Sequence, residues 1–336
     1  MGEKDITEKS LENLNDVFSD IVNGLIFHGI PVIREDELCD IHPESYFKGF
    51  DDKVHSVERD TLKRWRQGMI NIAMIGIENQ TDICDHMPIR MISYDGNAYR
   101  AQLSEHEATL RKWDRREKQH VKADHVSDTE FCRNIAGEKC KPKFHPIPVL
   151  SIILYFGKDH WNRNLYLKDL LDIPKAFEPY INDYKINVFE VAWLSEEEIS
   201  KFCSDFRIIA DFFSKRRTDP NYIPKDTYEI VHVTEFLNLM TALTGDKRYQ
   251  SINDAKNNEI YGGGPKNMCE VADRLEKIGR QKGRREGRRE GIHEGEERIN
   301  ILNQRLISEN RLNDLIRSIT DTAYQNKLMV EYGIRK

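Results

Sequence analysis

Near the start of the chain the apolar positions recur at helical spacing. In LENLNDVFSDIVNGLIFHG, residues 11–29, the residues Leu11, Leu14, Phe18, Ile21, Val22 and Leu25 fall along one side of a 3.6-residue period. This predicts an amphipathic helix, with Gly24 and Gly29 favouring its end. From Met69 to Ile77 the pattern changes to a nearly continuous apolar run of buried-strand character. The preceding segment, from Asp60, is joined to it through Gln67-Gly68, a turn signal that predicts a hairpin. MPIRMISYDGNAYRAQL, residues 87–103, reads as helix, and a charged connector follows from Arg111 to Lys143. Two further strands are expected, at Val149–Phe156 and in KINVFEVAWL, residues 185–194. The helix SEEEISKFCSDFRIIADFFSKR comes next, with Ser195 as N-cap and Glu198 as its capping-box partner. Strand and helix mixed in this way indicate an α/β or α+β domain around a central sheet.

Beyond Arg217 the character changes twice. The segment 218–275 reads as helices separated by loops, including EIVHVTEFLNLMTALTG and a break at YGGGP, residues 261–265. Between 276 and 298 glycines fall at 279, 283, 287, 291 and 295 in an Arg- and Glu-rich background. Five helical glycines would each cost about 0.8–1.0 kcal/mol relative to alanine, which favours a linker or fraying helix. The remainder, 299–336, is amphipathic through Ile299, Leu302, Leu306, Leu312, Leu315, Ile316 and Ile319. The sequence thus predicts a domain over 1–217, a helical accessory segment over 218–275, the repeat over 276–298 and a helical end over 299–336.

Composition adjusts this picture only slightly. Of 336 residues, 39 % are apolar and 32 % charged, which suits a folded core carrying much solvated helix. The net charge of −6 argues against general affinity for nucleic acid and leaves local patches to supply it. One such patch is Lys277–Glu290, with seven Lys or Arg against two Glu. The opening MGEKDITEKS has no apolar run, and the run at Val149–Phe156 is too short to cross a bilayer. A cytoplasmic protein with no membrane partner is expected. Cys132 and Cys140, flanked by His125 and His145, do not match a common structural-zinc spacing.

The candidate chemistry lies at the exit of the hairpin. A turn centred near Gly68 or Met69 opposes residues whose numbers sum to about 137 or 138, so Asp60 meets Glu78. Directly opposed positions hold their Cβ atoms about 4.5–5.5 Å apart. Two carboxylates that close repel one another unless a cation lies between them. Gln80, two residues beyond Glu78, projects from the same side of the strand. Two carboxylates with an amide at the rim suit Mg²⁺, which takes one or two carboxylates together with waters and phosphate oxygens.

These residues also carry a resemblance. Asp60, the eighteen-residue step to Glu78, ENQT, and then MPIRMISYDGNAYRAQL resemble the PD-(D/E)XK nuclease superfamily, and within it the Rpn-type group of recombination-promoting nucleases and transposase-like proteins. PVLSIILYFGKDHWN and DYKINVFEVAWLSEEEISKFCSDFRIIADFF are similar to later parts of that domain, as is the glycine-periodic tail. The resemblance implies a PD-(D/E)XK restriction-endonuclease-like α/β core and a DNA endonuclease linked to recombination or mobile elements. It further implies Mg²⁺ (or Mn²⁺) held by Asp60 and Glu78, with Gln80 standing where many members have lysine. The superfamily often adds an acid from its first helix, for which Glu12, Asp16 and Asp20 are candidates. Lys63, Arg64, Arg90 and Arg100 are the candidate DNA contacts. A DNA-binding or interaction protein that keeps the fold without turnover is the alternative. A homo-oligomer formed through the C-terminal segment is a third expectation.

Overall fold

The computed structural model describes residues 11–41, 44–48, 54–58, 60–122, 141–220, 222–224, 227–255 and 264–334. Cys132, Cys140, His125 and most of the YGGGP break lie outside the described residues. The chain divides into two compact units, Met1–Val271 and Ala272–Lys336. The segment 218–271 therefore belongs with the first unit.

The first unit is mixed α/β. Helix α1 (Asn15–Leu25) leads to strand β1 (Leu38–Asp40). A separate two-stranded antiparallel sheet, β2 (Glu44–Lys48) and β3 (Val54–Glu58), follows. Next come β4 (Thr61–Gln67), β5 (Ile70–Gln80) and the long helix α2 (Met87–Lys122). After them lie β6 (Val149–Tyr155) and β7 (Val188–Glu190). The main sheet has the order β1-β4-β5-β6-β7. Its first three strands form an antiparallel meander, and β6 and β7 join parallel to β5.

The predicted hairpin is present with the expected register. Thr61 pairs with Ile77 and Lys63 with Ile75, and a bulge between Trp65 and Arg66 shifts the far end by one residue. Gly68 makes the turn at φ +59°, a left-handed conformation that favours glycine. On one side of the hairpin Leu62 and Met74 pack with Ala98 of α2. On the other, Thr61 and Lys63 reach back to Asn13 and Asn15 at the entrance to α1. Helices thus cover both faces of β4 and β5, which explains why β5 reads as an almost unbroken apolar run.

Three expectations change. Gly24 does not end the first helix but lies within α1, where a Cβ would fall 2.2 Å from the ring of buried Phe202. Gly29, at φ +89°, does turn the chain out of it. Gly24→Ala is accordingly expected to cost about 1–3 kcal/mol through overpacking. A thermal melt of the variant beside the parent checks it, at roughly 2–4 °C lost per kcal/mol for a domain of this size. The connector after Arg111 continues α2 as helix to Lys122, in a stretch that contains no Gly or Pro after Gly96. The expected helix beginning at Ser195 is two helices, α3 (Glu196–Ile199) and α4 (Phe206–Thr218). Its capping box of Ser195 and Glu198 is present. The break arises because the Asp20 carboxylate accepts the backbone amides of Cys203 at 2.9 Å and Ser204 at 2.8 Å. Helices α5 (Val233–Thr244) and α6 (Arg248–Ala255) complete the unit, and Gly245 ends α5 in the left-handed region.

In the second unit, α7 (Met268–Ser308, beginning four residues before the division) is helical through all five glycines. Ion pairs one turn apart line it, including Arg280–Glu276, Lys282–Glu286 and Arg298–Glu294. Each such exposed pair contributes about 0.2–0.5 kcal/mol, partly offsetting the glycines. Leu302 and Leu306 then bury against Leu328 of α9 (Thr322–Glu331), and Leu315 of α8 (Leu312–Thr320) packs beside them.

Candidate functional site

The end of the hairpin brings Asp60 and Glu78 together. The Asp60 backbone amide donates to Glu78 Oε2 at 3.4 Å, and the Asp60 carboxylate accepts the Asn79 amide at 2.8 Å. Gln80 Nε2 donates to Glu78 Oε1 at 3.4 Å. All three residues singled out from the sequence therefore meet. They do so because strand alternation sends Glu78 and Gln80 to one side of β5, and the register places Asp60 opposite.

Glu78 is wholly buried, and its charge has a partner inside the protein. Arg90, in the first turn of α2, forms an ion pair through its guanidinium with Glu78 Oε1. The Arg90 Nε donates to the Tyr94 hydroxyl at 2.9 Å. The sequence reading assigned Arg90 to DNA, whereas its charge here is directed at a carboxylate of the site. Burial works against the Arg90 cation, but Glu78, Tyr94 and Asp60 outweigh it and raise its pKa. Burial, followed by the nearby Glu78 charge, pushes the Tyr94 phenol up to about 12. Tyr94 thus remains a neutral hydroxyl throughout the physiological range.

A pH prediction follows from Tyr94. An unfolded tyrosine titrates near 10 and the folded one near 12, so the folded state keeps a proton that the unfolded state releases. The stabilising contribution is complete below pH 10 and is lost as pH rises towards 12. Phenolate absorbance near 295 nm should show one late-titrating tyrosine fewer in Tyr94→Phe. The variant should also lose stability less steeply over that pH interval.

The acids of the first helix are placed elsewhere, which corrects the assignment of Asp16 and Asp20 to a metal. Asp16 Oδ2 lies 2.7 Å from His232 Nε2, and Asp20 caps the 203–204 turn described above. Glu12 is the one that reaches β5. Its Oε2 accepts Asn79 Nδ2 at 2.7 Å, and Asn79 alternates to the opposite side of the strand from Glu78. Among the described residues no three His, Cys, Asp or Glu side chains converge to hold a metal ion. The donors at the hairpin end are thus two carboxylates, hard oxygen ligands of the kind Mg²⁺ or Mn²⁺ accepts.

Two of the expected DNA contacts also change role. Lys63 is fully buried: it pairs with Asp40, donates to Asn15 Oδ1 at 2.8 Å and lies 5.6 Å from the Phe18 ring centroid. It cannot meet phosphate from there. Arg64 is held by Glu105 at 2.9 Å. Arg100 is on the exposed side of α2.

The neighbouring strand explains another part of the sequence pattern. Tyr155, at the end of β6, pairs with Gln80. Its ring meets Trp161 edge-on at 5.2 Å and covers Gly157, where a Cβ would fall 1.9 Å from the tyrosine oxygen. Tyr155, Gly157 and Trp161, all in PVLSIILYFGKDHWN, thus pack together at the end of β6 beside the candidate site. Sequence reasoning missed the roles of Arg90 and Asn79. The only signal for the first was the four-residue spacing of Arg90 and Tyr94 on one helix face. No family model, curated protein or solved structure matches the chain.

Proposed function

We propose that this protein is a divalent-metal-dependent DNA endonuclease built on a PD-(D/E)XK-type core. The observation that carries the reading is the hydrogen bond from the Asp60 backbone amide to buried Glu78 at the hairpin end, with Gln80 hydrogen-bonded to the same carboxylate. The five-stranded mixed sheet flanked by α1 and α2 supports it, because the resemblance implies an α/β core. Asp60 and Glu78 would hold Mg²⁺ (or Mn²⁺), with waters and phosphate oxygens as the remaining ligands. When bound, the ion supplies Lewis acidity towards the phosphoryl group and lowers the pKa of water.

The chain's own side chains do the positioning. The Gln80 amide can orient a water through its carbonyl but brings no positive charge, unlike the lysine of many superfamily members. Among the described residues, Arg90 brings a cation to Glu78. A link to recombination or mobile elements is part of the same proposal and rests on the resemblance alone.

Incubation of purified protein with supercoiled plasmid tests the reading. Nicking or linearisation in Mg²⁺ that stops in EDTA is the expected result. The second reading, a DNA-binding protein without turnover, is favoured by the neutral Gln80 and by the two-carboxylate donor set. It predicts an uncut plasmid that the protein still retards on a gel.

A further inference from the structure

We infer that Arg90 is an internal counter-ion that competes with the divalent cation for Glu78, so that metal entry requires the guanidinium to leave. The inference rests on the metal-site reading above and deepens it.

A carboxylate excluded from water needs a positive partner, since an unpaired buried charge is strongly destabilising. Glu78 is such a group, with no exposed surface, and the Asp60 carboxylate, which accepts the Asn79 amide, acts on the same Arg90 cation. Arg90 supplies a compensating positive charge through its ion pair with Glu78. Its geometry suits a partner that can withdraw. The Arg90 side chain is 41 % exposed although Glu78 is not exposed at all, so the guanidinium enters the site from the solvent side. Its other contacts are a hydrogen bond to the Tyr94 hydroxyl and the Tyr94 ring, whose centroid is 5.7 Å from Cζ.

Two cations cannot share one buried carboxylate without mutual repulsion, which at short range in a poorly solvated site is large. A divalent ion held by Asp60 and Glu78 would bring two positive charges to the pair, where Arg90 brings one. Binding of the ion would therefore displace Arg90 and leave its guanidinium at the solvent side of the site. Its role is that of a positioning residue: it keeps Glu78 inside and folded until the metal arrives.

The test is Mn²⁺ binding to the full chain, followed by the electron-spin-resonance signal of free Mn²⁺, for the parent and for Arg90→Ala, Arg90→Gln and Glu78→Gln. The expected result is Mn²⁺ affinity at least tenfold tighter in both Arg90 variants than in the parent, and its loss in Glu78→Gln. The Mn²⁺-induced rise in Tm should likewise be larger in Arg90→Gln than in the parent, which keeps the test decisive if Arg90→Ala folds poorly without metal. A merely structural arginine would leave affinity unchanged or weaken it on removal. If the parent binds Mn²⁺ and the Arg90 variants bind it equally or more weakly, the competition is overturned while the metal site stands. If neither parent nor Arg90→Gln binds Mn²⁺, the metal-site reading fails, and the competition with it.

Discussion

Glu78→Ala is expected to lower Mg²⁺-dependent plasmid cleavage by roughly 10³-fold or more, because a metal's Lewis acidity supplies several kcal/mol of transition-state stabilisation. The substitution removes the buried carboxylate that meets both Asp60 and Gln80, so on the proposed reading the ion would lose one ligand and Gln80 the group that orients it. The fold should survive. The charge left behind belongs to Arg90, whose side chain is already 41 % exposed and can be hydrated where it stands. Removing Arg90 instead would take an ion-pair partner from a wholly buried carboxylate. Cleavage rates and a thermal melt on the same preparation check both halves. Cutting at near the parent rate would place the chemistry away from β5.

Lys63→Ala should have the largest effect on stability, about 2–4 kcal/mol, with no specific effect on DNA binding. Its side chain is fully buried over Phe18, so truncation leaves a cavity and deprives Asn15 Oδ1 of its donor. The ion pair with Asp40 accounts for little of this cost, because the Asp40 side chain is 81 % exposed and water can replace the ammonium. Lys63→Met, which keeps the length of the stem, should recover most of the loss. Urea unfolding measures the stabilities. A gel-shift series over salt measures the second claim: a phosphate-contacting lysine would reduce the slope of log K against log salt by about one on removal. An unchanged slope is expected for buried Lys63.

The hairpin was legible because its determinants are local. One glycine at a left-handed turn and one apolar run are enough to fix a register, and that register alone brings Asp60 to Glu78 and Gln80 to the same side. The capping box at Ser195 and Glu198 was readable for the same reason, since both partners lie within one helical turn. The glycine repeat was harder to read, because helix propensity and the ion pairs one turn apart pull in opposite directions.

Contacts between residues far apart in sequence decided the rest. Asp16 and Asp20 share a helix face in the sequence, yet one meets His232 and the other breaks a helix nearly two hundred residues away. Lys63, read as a cation for phosphate, is enclosed by α1 because strand alternation turns it towards Phe18. Gly24, read as a stop, is a space for Phe202. Arg90, read as a DNA contact, forms an ion pair with Glu78. Periodicity and turn chemistry report which way a residue faces along its own element. The burial and charge compensation that give the residue its task depend on which other element arrives at that face, and only the tertiary structure supplies that.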